Sequence, residues 1–352
     1  MTRWLKIFTV GIILTVMMSP TTALAEWETN YDEGRRLFSE KDYPKAENHL
    51  IQALTESEAF GKKDPRYLRT LQLLADLYRK QRQWAAATPL LEQVMDAYRE
   101  DGTEQSPEAG VVLNRLGIMY HRLQKYDKAE VAYEKALAIK RRRYRQNAAS
   151  IAVVTTNLAE LYRKRSEWTK AQTLLEKALK DKERELGPDH PSLVPTLVDM
   201  GLLFNNLKKY ETSLKLFERA RLIAEKDEKG QGERLGDVLH NMGDAYQGTR
   251  EFEKAVTTYK KAMAMRKAVL GEKHPHLATT MQNLANTLVR LKRAEQAVPL
   301  YESAIKIREE EYGKKHRRVA RTLNNYAYSL EVVGRAEDAA AARARAKAIL
   351  GK

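Results

Sequence analysis

The chain has 352 residues, of which 43% are hydrophobic and 31% charged, a balance typical of a soluble, helix-rich protein. It contains no cysteine, which excludes disulfides, thiol nucleophiles, thiolate metal sites and a cysteine-linked lipid anchor. The formal net charge of +15 favours anionic partners, but it determines neither the fold nor the identity of a partner.

The first 25 residues have the pattern of a cleavable signal peptide. Arg3 and Lys6 give a positive start, Ile7–Met18 is an apolar run, and the small-x-small sequence Ala23–Ala25 precedes a cut before Glu26. A retained membrane anchor is the alternative, but the apolar run is shorter than the roughly 20 residues that a spanning helix needs. The pattern therefore predicts an exported protein, periplasmic if the source is a Gram-negative bacterium.

The stretch 149–191 contains a pattern that occurs seven more times along the chain. It is defined by a small residue, Ala159, and by aromatic residues three and nine positions after it, Tyr162 and Trp168. Ala171 and Leu175 follow. We call the small residue the anchor of its repeat. The eight anchors are Gly34, Ala75, Gly117, Ala159, Gly201, Gly243, Ala285 and Ala327, spaced 41 residues once and then 42. The period predicts one elongated array of eight repeats over residues 26–352 rather than two or three globular domains.

Each repeat contains two apolar-periodic stretches separated by a short polar turn, which predicts a helical hairpin. In four links between repeats a glycine lies 14 residues before the anchor and is expected to end a helix in the left-handed conformation. In four links a proline lies 10 residues before the anchor, where it can open the next helix. The small anchors predict a close crossing of the two helices, and the recurring aromatics indicate packing rather than a ligand cage. The predicted fold class is all-α.

One repeat matches almost completely the tetratricopeptide pattern of Leu-Gly-x-x-Tyr followed by Ala-x-x-x-Phe and Ala. The matching residues are Leu116, Gly117, Tyr120, Ala129, Tyr133 and Ala136. The resemblance covers about residues 26–350, and the 42-residue period is similar to that of kinesin light chains and many bacterial scaffolds, although the leader argues against a cytoplasmic motor subunit. It implies a right-handed α-α superhelix, or solenoid, whose first helices line a concave groove that binds an extended peptide or a partner helix.

The same resemblance implies a role for asparagines that lie two residues before the anchor. These are Asn157, Asn241, Asn283 and Asn325. An amide side chain offers both a donor and an acceptor, so it can pair with a peptide unit whatever side chains the ligand carries. Hydrogen bonds between helices of neighbouring repeats are an equally open interpretation. Because the other repeats carry different residues at this position, the pattern favours the C-terminal half of the array.

Basic residues recur four and five positions after the anchor. The candidates for a basic inner wall are Arg79, Arg122, Arg163 and Lys164. Such a wall would suit an acidic peptide or a C-terminal carboxylate. Lysine and arginine near a helix end also complement the helix dipole, which is the simpler interpretation of these positions.

The sequence gives little support to catalysis. A Gly-rich phosphate loop, HExxH and GxSxG are all absent, and the carboxylates are scattered over the helix faces, so no catalytic residue and no cofactor is predicted. His274 and His276 could touch a metal, but they lack a third ligand nearby, so no metal site is predicted. His190, His274 and His316 occupy related places in the links, which repeat geometry explains.

The leading hypothesis is therefore a non-enzymatic exported scaffold that binds another protein, with an acidic segment as one suitable ligand. The alternative is a charge-driven binder of an anionic polymer, nucleic acid or a membrane surface, whose binding would fall steeply with salt and survive loss of the asparagines. The basic run Lys140–Arg145 is interpreted as a solvated helix end rather than a nucleic-acid strip.

Overall fold

The computed structural model describes residues 20–143, 148–226 and 231–351, and within these ranges the chain forms sixteen α-helices and no strand, which confirms the all-α prediction. The helices are α1 (Pro20–Ser39), α2 (Tyr43–Ser57), α3 (Pro65–Lys80), α4 (Trp84–Glu100), α5 (Pro107–Arg122), α6 (Tyr126–Arg143), α7 (Ala148–Lys164), α8 (Trp168–Leu186), α9 (Val194–Asn206), α10 (Tyr210–Lys226), α11 (Gln231–Gly248), α12 (Phe252–Leu270), α13 (Pro275–Arg290), α14 (Ala294–Tyr312), α15 (Arg317–Val332) and α16 (Ala336–Leu350). Short 3₁₀ turns precede α3 and α9 at Glu58–Phe60 and Pro191–Leu193.

The chain divides into two compact units, one up to residue 161 and one from residue 162. In the first unit α1 packs against α2, α3 against α4 and α5 against α6. In the second unit the same pairing joins α9 to α10, α11 to α12, α13 to α14 and α15 to α16. The anchors lie on the odd-numbered helices, so we call these the first helices of the hairpins and the even-numbered ones the second helices.

The predicted leader lies outside the described residues except for its last six. Helix α1 begins at Pro20 and continues through the predicted cleavage point after Ala25. Just beyond that point the buried Trp27 donates its Nε1–H to Thr70 Oγ1 at 3.0 Å. In the part of the chain that the structure describes, no helix is both long enough and apolar enough to cross a membrane.

Five of the eight first helices, or the 3₁₀ turn that leads into them, begin with a side-chain cap at a fixed place, eleven residues before the anchor. Each cap accepts a hydrogen bond from a backbone N–H two or three residues further on, at 2.8–3.2 Å. The caps are Asp64, Ser106, His190, His274 and His316. The histidines accept through Nδ1, so these three link residues satisfy N–H groups that would otherwise lack a partner at the helix start.

Each first helix ends in a left-handed residue seven positions after the anchor. The residue that follows donates its N–H to the carbonyl five residues back, the bond of a Schellman motif, as from Gln83 to Tyr78 at 2.8 Å. Only the last repeat has a glycine at the left-handed position, Gly334. The other seven, with φ between 58° and 66°, are Lys41, Arg82, Gln124, Ser166, Lys208, Arg250 and Lys292.

The link glycines adopt a different conformation from the left-handed helical one expected from the sequence. Their φ is positive, but ψ is 152° at Gly61, 161° at Gly187, 168° at Gly271 and 153° at Gly313. The second helix therefore ends in an extended residue with positive φ, a region that essentially only glycine occupies. This geometry turns the chain out of the second helix directly towards the next repeat.

Close packing at the anchor joins the two helices of a hairpin. A Cβ built on Gly117 would lie 2.5 Å from the ring of Tyr133, and one on Gly243 would lie 2.5 Å from the ring of Tyr259. Tyr133 and Tyr259 are fully buried, and both lie sixteen residues after their anchor. The predicted close crossing is thus confirmed, with a ring of the second helix lying on the bare backbone of the first.

We expect Gly201→Ala to destabilise the second unit. The new Cβ would overlap the ring of the fully buried Phe217, and such overpacking costs about 1–3 kcal/mol, of which the higher helix propensity of alanine offsets about 1 kcal/mol. Denaturant unfolding of the full chain measures the loss.

The double variant Gly201→Ala/Phe217→Leu is the control, because it recreates the alanine and leucine found at Ala75 and Leu91. It should lose less stability than the sum of the two single variants. Strict additivity would show that the ring does not press on the anchor.

Candidate peptide-binding face

Asparagines two residues before the anchor connect neighbouring first helices of the second unit. Asn283 donates its Nδ2–H to Asp244 Oδ1 at 2.9 Å, and Asn325 donates to Asn286 Oδ1 at 3.1 Å. Both acceptors directly follow the anchor of the preceding repeat. We call such a bond between first helices a rung.

A tyrosine of the second helix holds each rung acceptor in place. Tyr301 donates its hydroxyl to Asn286 Oδ1 at 2.6 Å, and Tyr259 donates to Asp244 while accepting from Gln247 Nε2 at 2.8 Å. Burial, followed by the Asp244 charge, raises the pKa of Tyr259 far above its ordinary value, so the phenol remains a donor. The rung acceptors are therefore held in place by hydrogen bonds within their own hairpin.

The first unit contains related contacts. Asn157 donates its Nδ2–H to Asn114 Oδ1 at 3.0 Å, and Arg115 Nη2 lies 3.3 Å from Asp76 Oδ2. Arg115 takes the place of the asparagine in its repeat, and Asp76 directly follows the anchor of the repeat before. The ion pair between Arg115 and Asp76 is thus a charged version of the same rung.

Asn241 differs from the other three asparagines. The residue that follows the preceding anchor is Leu202, which offers no acceptor, and among the described residues Asn241 makes no side-chain hydrogen bond. It is half-buried. In Asn157, Asn283 and Asn325 one Nδ2–H is used in a bond to the neighbouring first helix.

The four basic candidates lie in separate surroundings. Arg79 Nε is 3.0 Å from Asp76 Oδ1, so its charge is balanced within its own helix. The Arg122 guanidinium lies over the ring of Trp84, 5.9 Å from its centroid. Arg163 is half-buried and Lys164 exposed at the end of α7. Two of the four therefore have structural contacts, an ion pair and a cation–π contact.

The rung acceptors Asp76, Asp244 and Asn286 were not predicted from the sequence. The sequence does contain a signal for them. In each of these three pairs an acidic or amide residue directly follows the anchor, and the next repeat carries arginine or asparagine two residues before its own anchor. Two pairings break this rule, Ile118 with Asn157 and Leu202 with Asn241. Finding these pairs would have required comparing residues 39 positions apart, in neighbouring repeats.

Buried basic residues 23 positions after the anchor were missed as well. Lys182 donates its Nζ–H to Thr196 Oγ1 at 2.7 Å, and Arg266 bonds to Thr280 and Asp237. Lys140 occupies the same position and is half-buried, which lowers its pKa, so it is not the fully solvated residue expected from the sequence. Residues 144 and 145 of the basic run lie outside the described part of the chain.

His240 lies buried behind the rung at Asp244. Its Nδ1 is 3.3 Å from Thr280 Oγ1, and its Nε2 is 3.8 Å from Asp244 Oδ2. Burial lowers the pKa of His240 to about 4; Asp244 and Asp237 oppose this shift, while Arg266 and His276 add to it. The imidazole is therefore neutral near pH 7 and acts as part of the core.

The link histidines His274 and His276 contact each other edge to face, with ring centroids 4.9 Å apart. Within the described ranges no group of three or more potential metal-ligating His, Cys, Asp or Glu side chains comes together.

We expect the buried His240 to make the second unit sensitive to mild acid. The unfolded chain binds this proton near pH 6.5 and the folded chain only near pH 4, so the free energy of unfolding falls as the pH drops through that window. Between pH 7 and pH 5 the loss from this residue should be about 2 kcal/mol. Urea unfolding at the two pH values measures it.

The variant His240→Gln isolates this contribution from the titrating carboxylates, because it keeps a polar group of similar size but cannot gain the proton. Its stability should change less between pH 7 and pH 5 than that of the wild type. Equal losses in both proteins would contradict the assignment.

A family model described as tetratricopeptide repeat matches residues 28–100, 90–142, 150–226, 194–268, 234–310 and 276–351. Comparison with curated protein sequences gives no match.

Solved structures share the fold at low sequence identity. The quorum sensor NprR from B. thuringiensis, in its apo form, superposes with a TM-score of 0.65 at 16% identity, covering 99% of this chain and 91% of NprR. BtubC from P. vanneervenii gives 0.59 at 20% identity over 64% of this chain and 91% of BtubC. A variant of a putative kinesin light chain from Podosopora anserina gives 0.50 at 19% identity over 55% of this chain and 92% of that one.

Proposed function

Because the chain belongs to the tetratricopeptide repeat family, whose members are mostly non-catalytic scaffolds for protein interaction, we propose that it is a scaffold without enzymatic activity. Its ligand is an extended peptide or a partner helix. The binding face consists of the first helices α11, α13 and α15 of the second unit.

The observation that supports this proposal most directly is the amide row of Asn241, Asn283 and Asn325. These residues are half-buried, recur every 42 residues and lie on consecutive first helices. Hydrogen bonds to Asp244 and Asn286 hold two of the three side chains in a single orientation. A ligand would therefore meet amides that are already ordered, which reduces the entropy cost of binding.

The hydrogen bonds within the chain give the three amides different roles in ligand binding. Asn283 and Asn325 use their Nδ2 groups in the rungs, so they accept a peptide N–H through Oδ1. Asn241 can both donate to and accept from a single peptide unit. Backbone recognition of this kind accommodates different ligand sequences, as a scaffold requires.

We expect Asn241→Ala to weaken peptide binding without altering stability, because the substitution breaks no internal hydrogen bond among the described residues. Peptides selected on the wild-type chain from a displayed random library provide the ligands. Loss of two hydrogen bonds should weaken binding by about tenfold, measured by fluorescence anisotropy.

Asn48→Ala is the matched control, since Asn48 is exposed on the second helix α2 and lies away from the proposed face. Its affinity should equal that of the wild type. Affinities that are the same for Asn241→Ala and the wild type, but fall steeply with salt, would contradict the amide row and favour the charge-driven alternative.

The scaffold is proposed to act outside the cytoplasm, after removal of residues 1–25. Expression in a Gram-negative host should yield a periplasmic product that starts at Glu26, as determined by mass spectrometry of the intact protein. The variant Ala25→Arg places a large charged residue before the cut and should leave the leader attached. A wild-type product that keeps its leader in the membrane fraction would contradict this proposal.

A further inference from the structure

A cavity of about 450 Å³ lies between α13, α14 and α15 of the second unit. Its lining includes three arginines and no acidic residue. The lining residues include Thr279, Gln282, Asn283, Arg308, Arg318 and Arg321. We call it the arginine pocket.

Arg308 forms the inner wall of the pocket and is only 7% exposed. Its Nη1 donates to Gln282 Oε1 and Thr322 Oγ1, both neutral acceptors. No carboxylate within the described ranges forms an ion pair with it. Burial lowers the pKa of its guanidinium, and the charges of Arg318 and Arg321 act in the same direction. The pocket therefore contains a buried cation without a counter-ion, an arrangement that proteins rarely leave uncompensated.

The preceding repeat shows how the same position is compensated. Arg266 lies 42 residues before Arg308, is 5% exposed and bonds to Thr280, the counterpart of Thr322. Unlike Arg308, it also has a carboxylate, with Asp237 Oδ1 2.5 Å from its Nη2.

The counterpart of Asp237 in the next repeat is Thr279, and the residue one further period on is Arg321. At the Arg308 site the chain therefore replaces the expected carboxylate by a small neutral residue. It also adds a positive charge, since Arg321 lies 13 residues after Arg308, at the position that the neutral Thr279 occupies relative to Arg266. The threonine side chain has one heavy atom fewer than that of aspartate and carries no charge. It therefore leaves space in the pocket that Thr279 lines, and it leaves the charge of Arg308 unbalanced.

We propose that the arginine pocket binds an oxyanion, a carboxylate or a phosphate group of a ligand, in the place that the Asp237 carboxylate occupies in the preceding repeat. The planar guanidinium of Arg308 suits bidentate contact with either group. Arg318 donates to the Tyr312 hydroxyl at 2.7 Å, which orders its side chain at the pocket wall. Arg321 is exposed and forms no ion pair among the described residues, so its charge is available to the ligand.

The pocket is much larger than a single oxyanion, since a water molecule takes about 30 Å³ of liquid volume. It has room for part of the group that carries the charge. Asn283 lines both the pocket and the amide row, so an acidic side chain of a peptide bound along that row could enter it. Oxyanion binding does not depend on the amide row, and the two proposals can fail separately.

The test titrates the full chain with two probes by calorimetry at low ionic strength. One probe is inorganic phosphate, and the other is a five-residue peptide blocked at both ends with one central aspartate; the same peptide with asparagine is the uncharged control. At least one charged probe should bind, and the stronger of the two identifies the preferred oxyanion. Binding of neither charged probe to the wild type would overturn the proposal.

The variant Thr279→Asp supplies the missing carboxylate from the chain itself. It should weaken binding of the oxyanion probe by about tenfold or more. It should also raise the melting temperature, because Arg308 then has a counter-ion as Arg266 does. Thr257→Asp adds the same charge at an exposed position of α12 and should leave the affinity within about twofold. Equal weakening by both variants, or a lower melting temperature for Thr279→Asp, would overturn the proposal.

Arg321→Gln is the second variant, chosen because an exposed residue without an ion pair can be changed without disturbing the fold. It should weaken oxyanion binding severalfold, while its melting temperature in the absence of a probe should not fall, because the charge of Arg321 opposes that of Arg308. Undiminished binding by this variant would remove Arg321 from the site and contradict the proposed geometry.

Discussion

Contact between a bare backbone and a ring is the constraint on which the rest of the structure depends. Where the anchor is glycine, as at Gly117 and Gly243, the first helix approaches the second so closely that Tyr133 or Tyr259 lies on the main chain itself. The same approach brings the hydroxyl of Tyr259 within reach of Asp244, directly after the anchor. Steric fit within a hairpin thus decides where the polar contacts between hairpins can form.

Two polar systems then set the register between neighbouring repeats of the second unit. Rungs such as Asn283 to Asp244 join first helices, and buried cations such as Arg266 and Lys182 reach from a second helix to a threonine of the following first helix. Apolar packing alone is non-directional, whereas these bonds are lost if a repeat slips by one residue. Their directionality also places the candidate ligand groups, because the rung asparagines and Arg308 belong to the same systems.

The period and the size of the anchor were sufficient to predict the hairpins, since both follow from local patterning and steric size. The rung acceptors Asp244 and Asn286 could not be identified in the same way, because only the pitch of the array decides which residue of one repeat meets Asn283 or Asn325 of the next. Buried cations are harder still. In sequence Arg308 looks like any basic residue near a helix end, and its burial depends on coverage by the following helix. The same limit applies to the arginine pocket, whose character arises from a difference between two repeats rather than from a motif.

The left-handed residue that ends each first helix has a consequence for how the array holds together. Seven of these positions carry a side chain, and each non-glycine residue in this conformation costs about 1 kcal/mol. The penalty recurs in seven of the hairpins, and packing against neighbouring hairpins, as of α10 against α11 and α12 against α13, adds to the packing within each hairpin that offsets it. A hairpin therefore gains part of its stability from its neighbours, as in a one-dimensional chain of coupled units. An internal repeat has a neighbour on each side and a terminal repeat only one, so the coupling stabilises internal repeats more than terminal ones.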